Sequence, residues 1–401
     1  MTKLRQAVER AREHEGWPPD GDFGVNTLMQ HFSPSRAGSL RSLMEAMNDK
    51  AADKRPWAVI LCRFKGDAPD HDVEEPIKTF FEQAFTPGTG GLVDYWRDVS
   101  LGAIDIAGSR VFDWVEVAIP RSAAGGYAGT MPPGPGRAGL FNAAITAFEA
   151  KNPGALRSFY GQIAVYSQDW AKEGSFADAD HIDGGALDSG EHGGKVSLTP
   201  PLHDNTPAPY DGSIPAHEMG HGFGMYHDVS ADLKQEYADP CCIMSQNGTF
   251  VDPTFRVAFG PAVCLPHLVQ RDWMYERRVY YDSGAWLNQP DGITLPLAPN
   301  TRPGVRANLG IRLAYADGDT SWDYYLDYVI PTEWNRGVPG APYVFVRRIV
   351  PTDVRPVYLG ALPIPPRGAT TEFFEPSGRV AFQVMLFDEK GPSVSVTARR
   401  A

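Results

Sequence analysis

The spacing of hydrophobic residues divides the first part of the chain into strand and helix segments. Continuous apolar runs and strict alternation predict strands, whereas apolar residues three and four apart predict helices. The predicted strands are 57–64, 104–106, 111–119 and 162–166, and the predicted helices are 76–85, 91–100 and 138–151. This β-α-β-β-α-β order leads into a further helix near residue 217, which we expect Ser213 to cap.

The pattern is different at the two ends of the chain. Two helices are predicted before residue 51, at about 2–15 and 38–49, from their amphipathic spacing. After residue 275, short alternating strands are separated by Pro and Gly turns, which is typical of an antiparallel β-sandwich. The predicted sandwich strands include 324–330, 343–350, 380–387 and 394–398. The whole pattern predicts an α+β fold that ends in a β-sandwich domain at 276–401.

The run from His217 to Asp228, with the pattern HExxHxxGxxHD, carries the most specific chemistry in the chain. On a helix, His217 and His221 lie one turn apart and face the same way, so their imidazoles can hold one zinc ion. Gly224 can take the left-handed conformation that ends a helix, which would return His227 as a third ligand. Three protein ligands leave a fourth position open, which is the pattern of catalytic zinc.

A polar helix face that binds nothing is the competing interpretation of this run. It is disfavoured because Gly220, Gly222 and Gly224 crowd the same helix, and each interior glycine costs roughly 0.5–1 kcal/mol relative to alanine. Such a helix needs tertiary support, which a metal ion and close backbone packing would supply. Glu218 is the next residue around the helix and can take a proton from water without being a ligand.

The run from His217 to Asp228, called the zinc run below, resembles the zinc-binding run of the metzincin metalloproteases. The resemblance extends over residues 55–275. Cys242-Ile243-Met244-Ser245 is similar to their methionine turn. The stretch 236–240, Glu-Tyr-Ala-Asp-Pro, resembles the gametolysin and immune inhibitor A group, and 93–102 is similar to the Y-x-x-x-S-x-G helix end of that group. The resemblance implies a metzincin-like catalytic domain at 51–275: a twisted mixed sheet with helices, the zinc helix and the Met turn.

From this resemblance we predict a monomeric zinc endopeptidase that acts on a peptide or protein. The zinc would polarise the scissile carbonyl, Glu218 would serve as the general base, and Met244 would pack beneath the ligands. Asp228 is expected to bind nearby backbone or an ion pair rather than zinc. No tyrosine stands at a recognised offset after Met244, so a fifth ligand of the astacin kind is not expected.

Three alternative functions remain open from the sequence. The same site could hydrolyse a non-peptide amide. The chain could chiefly be a β-sandwich protein that binds carbohydrate or protein, with a weakly active zinc domain. It could also be a latent zymogen, in which residues 1–50 form a prosegment. Gly21-Asp22 is similar to the Gly-Asp of the aspartate switch in astacin prosegments, which would make Asp22 the latency residue; a plain surface turn is the simpler interpretation.

Residues 169–210 form a predicted loop rich in Asp, Gly, Pro and His, and a loop of about forty residues is usually functional or disordered. A solvated acidic loop is the plainer interpretation. The sharper one is a calcium site built from carboxylates such as Asp178 and Asp180. Extended peptides are commonly held by pairing with a free strand edge. The residues predicted to form that substrate-binding edge strand are Val196, Ser197 and Leu198.

The four cysteines allow one crosslink near the Met turn. A disulfide from Cys241 or Cys242 to Cys264 is compatible with the sequence, and Cys62 is expected to be an inert core residue. No CxxC spacing exists, so a second, cysteine-bound zinc ion is not expected from the sequence.

Charge and hydropathy restrict the partners and the location. The formal charge of −12 and the lack of a basic run argue against nucleic acid, and no apolar run is long enough to span a membrane. Residues 1–10 form a charged amphipathic pattern without the apolar core of a signal peptide. Proteins of the resembled group are typically secreted. Export by another route, prior removal of a signal and an intracellular location are therefore all left open.

Overall fold

A computed structural model describes residues 52–124, 136–168, 184–188, 194–198, 200, 210–245, 249–252, 257–274, 278–301, 307–340, 342–386 and 393–401. Three sequence predictions lie outside these residues. They are the N-terminal helices with their candidate prosegment, the latency residue Asp22, and the candidate calcium ligands Asp178 and Asp180.

The helices and strands alternate through the first part of the described chain and give way to strands alone. The elements up to residue 274 are β1 (Asp53–Lys54), β2 (Trp57–Arg63), α1 (His71–Ala84), α2 (Leu92–Val99), β3 (Ile104–Asp105), β4 (Arg110–Glu116), α3 (Gly136–Lys151), β5 (Gly161–Tyr166), β6 (Gly184–Asp188), β7 (Lys195–Leu198), β8 (Tyr210–Asp211), α4 (Ser213–Gly222), β9 (Val229–Ser230), β10 (Phe250–Val251), β11 (Val257–Phe259) and α5 (Leu265–Gln270). Those that follow are β12 (Val279–Asp282), β13 (Ile293–Leu297), β14 (Gly310–Asp317), β15 (Thr320–Val329), β16 (Tyr343–Val350), β17 (Asp353–Pro363), β18 (Thr370–Phe374), β19 (Val380–Leu386) and β20 (Val394–Arg400).

The first part of the chain builds a five-stranded mixed sheet in the order β4-β2-β5-β7-β6. Strand β2 lies in its middle, parallel to β4 and β5. Alternate residues of β2 enter two different cores. Trp57 and Val59 pack with α1, α2 and α4, whereas Ala58 and Ile60 pack with α3. Because both faces of this strand are covered, its sequence is a continuous apolar run rather than an alternating one.

Strand β6, and not the predicted strand, lies at one edge of this sheet, and β4 lies at the other edge. The strand of Val196, Ser197 and Leu198 does form, as β7, but it pairs in parallel with β5 on one side and antiparallel with β6 on the other. All three residues are fully buried. The prediction was wrong because β7 is the more hydrophobic strand, and hydrophobicity favours an internal position over an edge.

The last part of the chain forms two sheets that pack face to face. One has the order β12-β14-β15-β16-β17-β9 and the other the order β13-β20-β19-β18. Tyr324, Leu326 and Val346 of the first sheet share one hydrophobic core with Phe382 and Val396 of the second. Most neighbouring strands are antiparallel, and β16 has the predicted bounds of 343–350.

The two parts of the chain share a sheet and a core. Strand β9, which lies just after the zinc run, pairs with β17 in the six-stranded sheet, with Val229 opposite Val357. Trp334 packs edge-on against Tyr95 of α2 and Phe259 of β11. The molecule is thus a mixed α/β protein with several sheets and few helices. No described helix is both long enough and apolar enough to cross a membrane.

Candidate metal centre

Helix α4 carries the first two histidines of the zinc run. Ser213 is its first residue rather than its cap, because Gly212 occupies the cap position and makes no side-chain cap bond. Instead, the Ser213 backbone N–H and hydroxyl donate to Asp211 Oδ1 over 2.8 and 2.5 Å. The carboxylate of Asp211 thus anchors the start of the helix, where backbone N–H groups lack partners within the helix.

Gly224 ends the helix in the way that the sequence predicts. Its φ of +84° lies in the left-handed region that favours glycine. Its N–H donates to the His221 carbonyl over 2.8 Å, and the Met225 N–H donates to the Gly220 carbonyl over 3.0 Å. These bonds reverse the chain and bring His227 back beside the helix.

The three histidines converge through their Nε2 atoms. His227 Nε2 lies 2.9 Å from His221 Nε2 and 3.2 Å from His217 Nε2. His217 is buried, while the other two rings are partly accessible. The cluster therefore has a buried side and a side that faces solvent.

The opposite nitrogen of each ring contacts a protein oxygen. The Nδ1 contacts are His217 to the Ile243 carbonyl at 2.8 Å, His221 to the Met225 carbonyl at 2.9 Å and His227 to the Glu236 carboxylate at 3.0 Å. Carbonyl and carboxylate oxygens only accept, so Nδ1 carries a proton in each ring. In a neutral ring, Nε2 is then left with a free lone pair. Metal-binding histidines characteristically donate their second N–H in this way.

Burial keeps two of these rings neutral. Together with a smaller effect of the neighbouring rings, it lowers the pKa of His217 to about 3 and that of His221 to about 4. Neutral rings with Nδ1 protonated direct their Nε2 lone pairs toward the middle of the cluster, where they repel one another. A cation removes that repulsion. Ligand nitrogens in tetrahedral zinc sites lie roughly 3.3 Å apart, given Zn–N bonds of about 2.0–2.1 Å, so the donor set fits zinc.

Glu218 lies beside the cluster without belonging to it. Its carboxylate is close enough to raise the pKa of His221 against the effect of burial, and the residue is only 7% exposed. Among the described His, Cys, Asp and Glu side chains, only those of the three histidines have ligand atoms that converge here. Glu218 therefore lies near the cluster without contributing a ligand atom to it.

Met244 lies against the ligand helix, as the sequence predicts for a Met turn. It is fully buried in the short 3₁₀ turn Ile243–Ser245, whose Ile243 carbonyl accepts the His217 hydrogen bond. A β-carbon added to Gly220 would lie 2.6 Å from Met244 Sδ. The turn can approach the helix only because residue 220 has no side chain, which explains a glycine that is unfavourable to the helix itself.

Asp228 ties the segment 223–239 around His227, called the ligand loop below, to the Met turn. Asp228 does not join the cluster, as expected. Its Oδ1 accepts from the Asp239 N–H over 2.8 Å, and its Oδ2 accepts from the Ser245 hydroxyl. Asp239 in turn forms an ion pair with Arg347 of β16, which also pairs with Asp327 of β15. All these side chains are buried, so the network connects the zinc run directly to the six-stranded sheet.

Tyr237 approaches the cluster although the sequence analysis did not single it out. Its hydroxyl lies 3.1 Å from His227 Nε2, and the two ring centroids are 4.2 Å apart. Tyr237 lies in the Glu-Tyr-Ala-Asp-Pro stretch before Met244, whereas a tyrosine ligand of the astacin kind would stand after Met244. That same stretch supplies Glu236 and Asp239. Its resemblance to a metzincin group was the one feature of the sequence that drew attention to these three residues.

The remaining predicted site residues are not brought to the cluster. Val196, Ser197 and Leu198 lie inside the sheet. The cysteines near the Met turn form no disulfide: Cys241, Cys242 and Cys264 are buried free thiols, and so is Cys62. Cys62 is a core residue of β2, as expected.

No protein-family model matches the chain, and no curated protein matches it.

Proposed function

We propose that this chain is a zinc-dependent endopeptidase of the metzincin type. The observation that carries the proposal is the convergence of three histidine Nε2 atoms, each ring held by an Nδ1 contact to a protein oxygen, beside a carboxylate that is not a ligand. His217, His221 and His227 would hold the ion. The partly accessible side of the cluster would admit the substrate.

The residues divide the chemistry of peptide hydrolysis among them. Zinc, when bound, polarises a carbonyl and lowers the pKa of water. Glu218 accepts a proton from the attacking water and delivers it to the leaving amine. The Tyr237 hydroxyl, directed toward His227 Nε2, is placed to donate a hydrogen bond to an oxygen that gains negative charge at the cluster.

The substrate would bind along β6 in this proposal. Strand β6 pairs with β7 and has no second strand among the described residues, so its other edge offers free backbone groups. It also lies against α4, the helix that carries His217 and His221. An extended peptide added to this edge would run beside the ligand helix. The substrate edge is therefore assigned to 184–188 in place of 196–198.

The test separates catalysis from metal binding. Glu218→Gln should keep about one zinc at the histidine cluster and lose roughly 10²–10⁴ in peptide turnover, because it removes the proton acceptor and none of the ligands. Glu82→Gln, an exposed change on α1, is the matched control and should leave turnover unchanged. Cleavage of a peptide library would be followed by mass spectrometry, with and without a chelator.

Two results would contradict the proposal. One is peptide cleavage that loses nothing when the chelator is added or when Glu218 is replaced by Gln. The other is zinc-loaded wild-type protein that cleaves no peptide, casein or gelatin, which would favour the β-sandwich binding protein.

A further inference from the structure

A second cluster of metal-capable side chains lies beside the Met turn. The ligand atoms of Cys242, Cys264 and His267 all fall within 4.8 Å of one another. Cys242 is the first residue of the Met turn and directly precedes its 3₁₀ segment, Cys264 is the N-cap residue of α5, and His267 lies in the first turn of that helix. A backbone hydrogen bond from the Ile243 N–H to the Ala262 carbonyl, 3.1 Å long, holds the two segments side by side.

The cluster is closed to solvent, and the His267 ring within it lacks normal hydrogen bonds. Both cysteines are fully buried free thiols, and His267 is 1% exposed. Neither nitrogen of the His267 ring makes a hydrogen bond of normal geometry, although Gln270 and the Tyr226 carbonyl lie near it. A buried polar ring without such bonds is destabilising unless something else binds it.

We propose that Cys242, Cys264 and His267 bind a second metal ion, a thiophilic one of the zinc or copper(I) class. Two cysteine sulfurs and one imidazole form a donor set that selects such ions. Two thiolates also balance the charge of a divalent ion, which matters because uncompensated charge in an apolar core is costly. No fourth His, Cys, Asp or Glu among the described residues joins the cluster.

A bound metal ion would satisfy a nitrogen of the buried His267 ring, whereas a disulfide would not. A bond between Cys242 and Cys264 would use both sulfurs and leave both ring nitrogens as they are. A metal ion takes one ring nitrogen, and the other then faces the Tyr226 carbonyl or Gln270, the arrangement in which metal-binding histidines usually hold their second nitrogen.

The ion would fasten the Met turn to α5. Tyr226 directly precedes the ligand His227, and Cys242 directly precedes Ile243, whose carbonyl positions His217. The second ion would therefore be structural, and it would hold the backbone on which two histidines of the first site depend.

The experiment counts metal ions in the full chain. After zinc loading, the wild type should hold two ions, His217→Ala/His221→Ala should hold one, and Cys242→Ala/Cys264→Ala should hold one. Cys62→Ala is the matched control, because Cys62 is equally buried in a different core, and it should hold two. A parallel loading with copper(I) identifies which ion the thiols prefer.

Cobalt spectroscopy of the wild type keeps the test independent of how the variants fold. The three-histidine site has no sulfur ligand, so a thiolate-to-cobalt charge-transfer band arises only from the second site. Its presence, and its loss in the Cys242→Ala/Cys264→Ala variant, supports the proposal. Absence of the band, together with a single bound ion in the wild type after zinc and after copper(I) loading, overturns it. A Cys242–Cys264 disulfide found by peptide mapping also overturns it.

Discussion

The two parts of this chain contribute to the candidate centre in opposite ways. Residues 52–274 supply the three histidines and Glu218, whereas the described residues between 278 and 401 add no His, Cys, Asp or Glu ligand atom to the cluster. The later part instead supplies the ion-pair partners of the ligand loop, Arg347 and Arg355, and the strand that pairs with β9. The residues of the candidate centre lie close together in the sequence, whereas some of the residues that hold them in place come from a distant part of the chain. The six-stranded sheet is therefore better described as a scaffold of the centre than as an appended binding module.

Arg347 is the main link between the two parts. Burial opposes its charge, yet Asp239 and Asp327 hold its pKa well above the usual value. Burial also raises the pKa of Asp327, and Arg347 acts in the opposite direction. One guanidinium thus stabilises two buried carboxylates, of which Asp239 belongs to the ligand loop.

The largest expected effect comes from breaking this link. Arg347→Ala leaves two buried carboxylates without their cation, which typically costs about 3–5 kcal/mol. Urea denaturation should show that loss, and the variant that still folds should bind zinc more weakly. Arg399→Ala is the control, because its pair with Glu372 is exposed in the other sheet and is worth at most about 1 kcal/mol. Equal losses in both variants would mean that the buried network has no special role.

Glu236→Gln should reduce zinc affinity by roughly 10–100-fold, the usual cost of losing a hydrogen-bond partner of a ligand. The reason is that the Glu236 carboxylate accepts from His227 Nδ1 and makes His227 a better ligand. Competition with a calibrated chelator measures the change. Unaltered affinity would show that His227 does not depend on this carboxylate.

Gly220→Ala tests the first part of the chain alone. The added methyl would meet Met244 Sδ, and overpacking of this kind costs about 1–3 kcal/mol, partly offset by the helix preference of alanine. Thermal unfolding gives the net loss. Combining it with Met244→Ala should remove the clash, so the double variant should lose less than the two single losses added together. If the losses of the two single variants simply add in the double variant, Met244 does not contact the helix at residue 220.

The smallest effect is expected at Arg355. Its Nη1 lies 3.7 Å from the Glu236 carboxylate, and both side chains are partly exposed, so Arg355→Gln should change stability by less than about 1 kcal/mol. Zinc affinity should fall less than in Glu236→Gln. An equal fall would show that the six-stranded sheet acts on His227 through this exposed pair.

What the sequence could predict follows from how local each feature is. The spacing of His217, His221 and His227 is a property of one helix and one turn, so their convergence could be predicted. Strand β16 could be bounded because it is rich in β-branched and aromatic residues and lies between Pro342 and Pro351. Strand β6, by contrast, has the sequence Gly-Gly-Ala-Leu-Asp, which has little strand character and was therefore missed.

The features that escaped prediction depend on distant parts of the chain. Arg347 is one of many arginines until the fold places it between Asp239 and Asp327. Cys242, Cys264 and His267 match no ligand spacing, because it is the pairing of the Met-turn backbone with the start of α5 that brings them together. Tyr237 reaches His227 only through the turn that follows β9.

The pairing of β9 with β17 also has a consequence for biosynthesis. The ligand loop is made before the strand that it pairs with, at 353–363, and before Arg347, which neutralises its Asp239. During translation the histidines therefore emerge before the loop that presents His227 can be fixed. Folding of the candidate metal centre is thereby coupled to the synthesis of the sheet that supports it, and a chain that stopped short of residue 347 would lack both contacts.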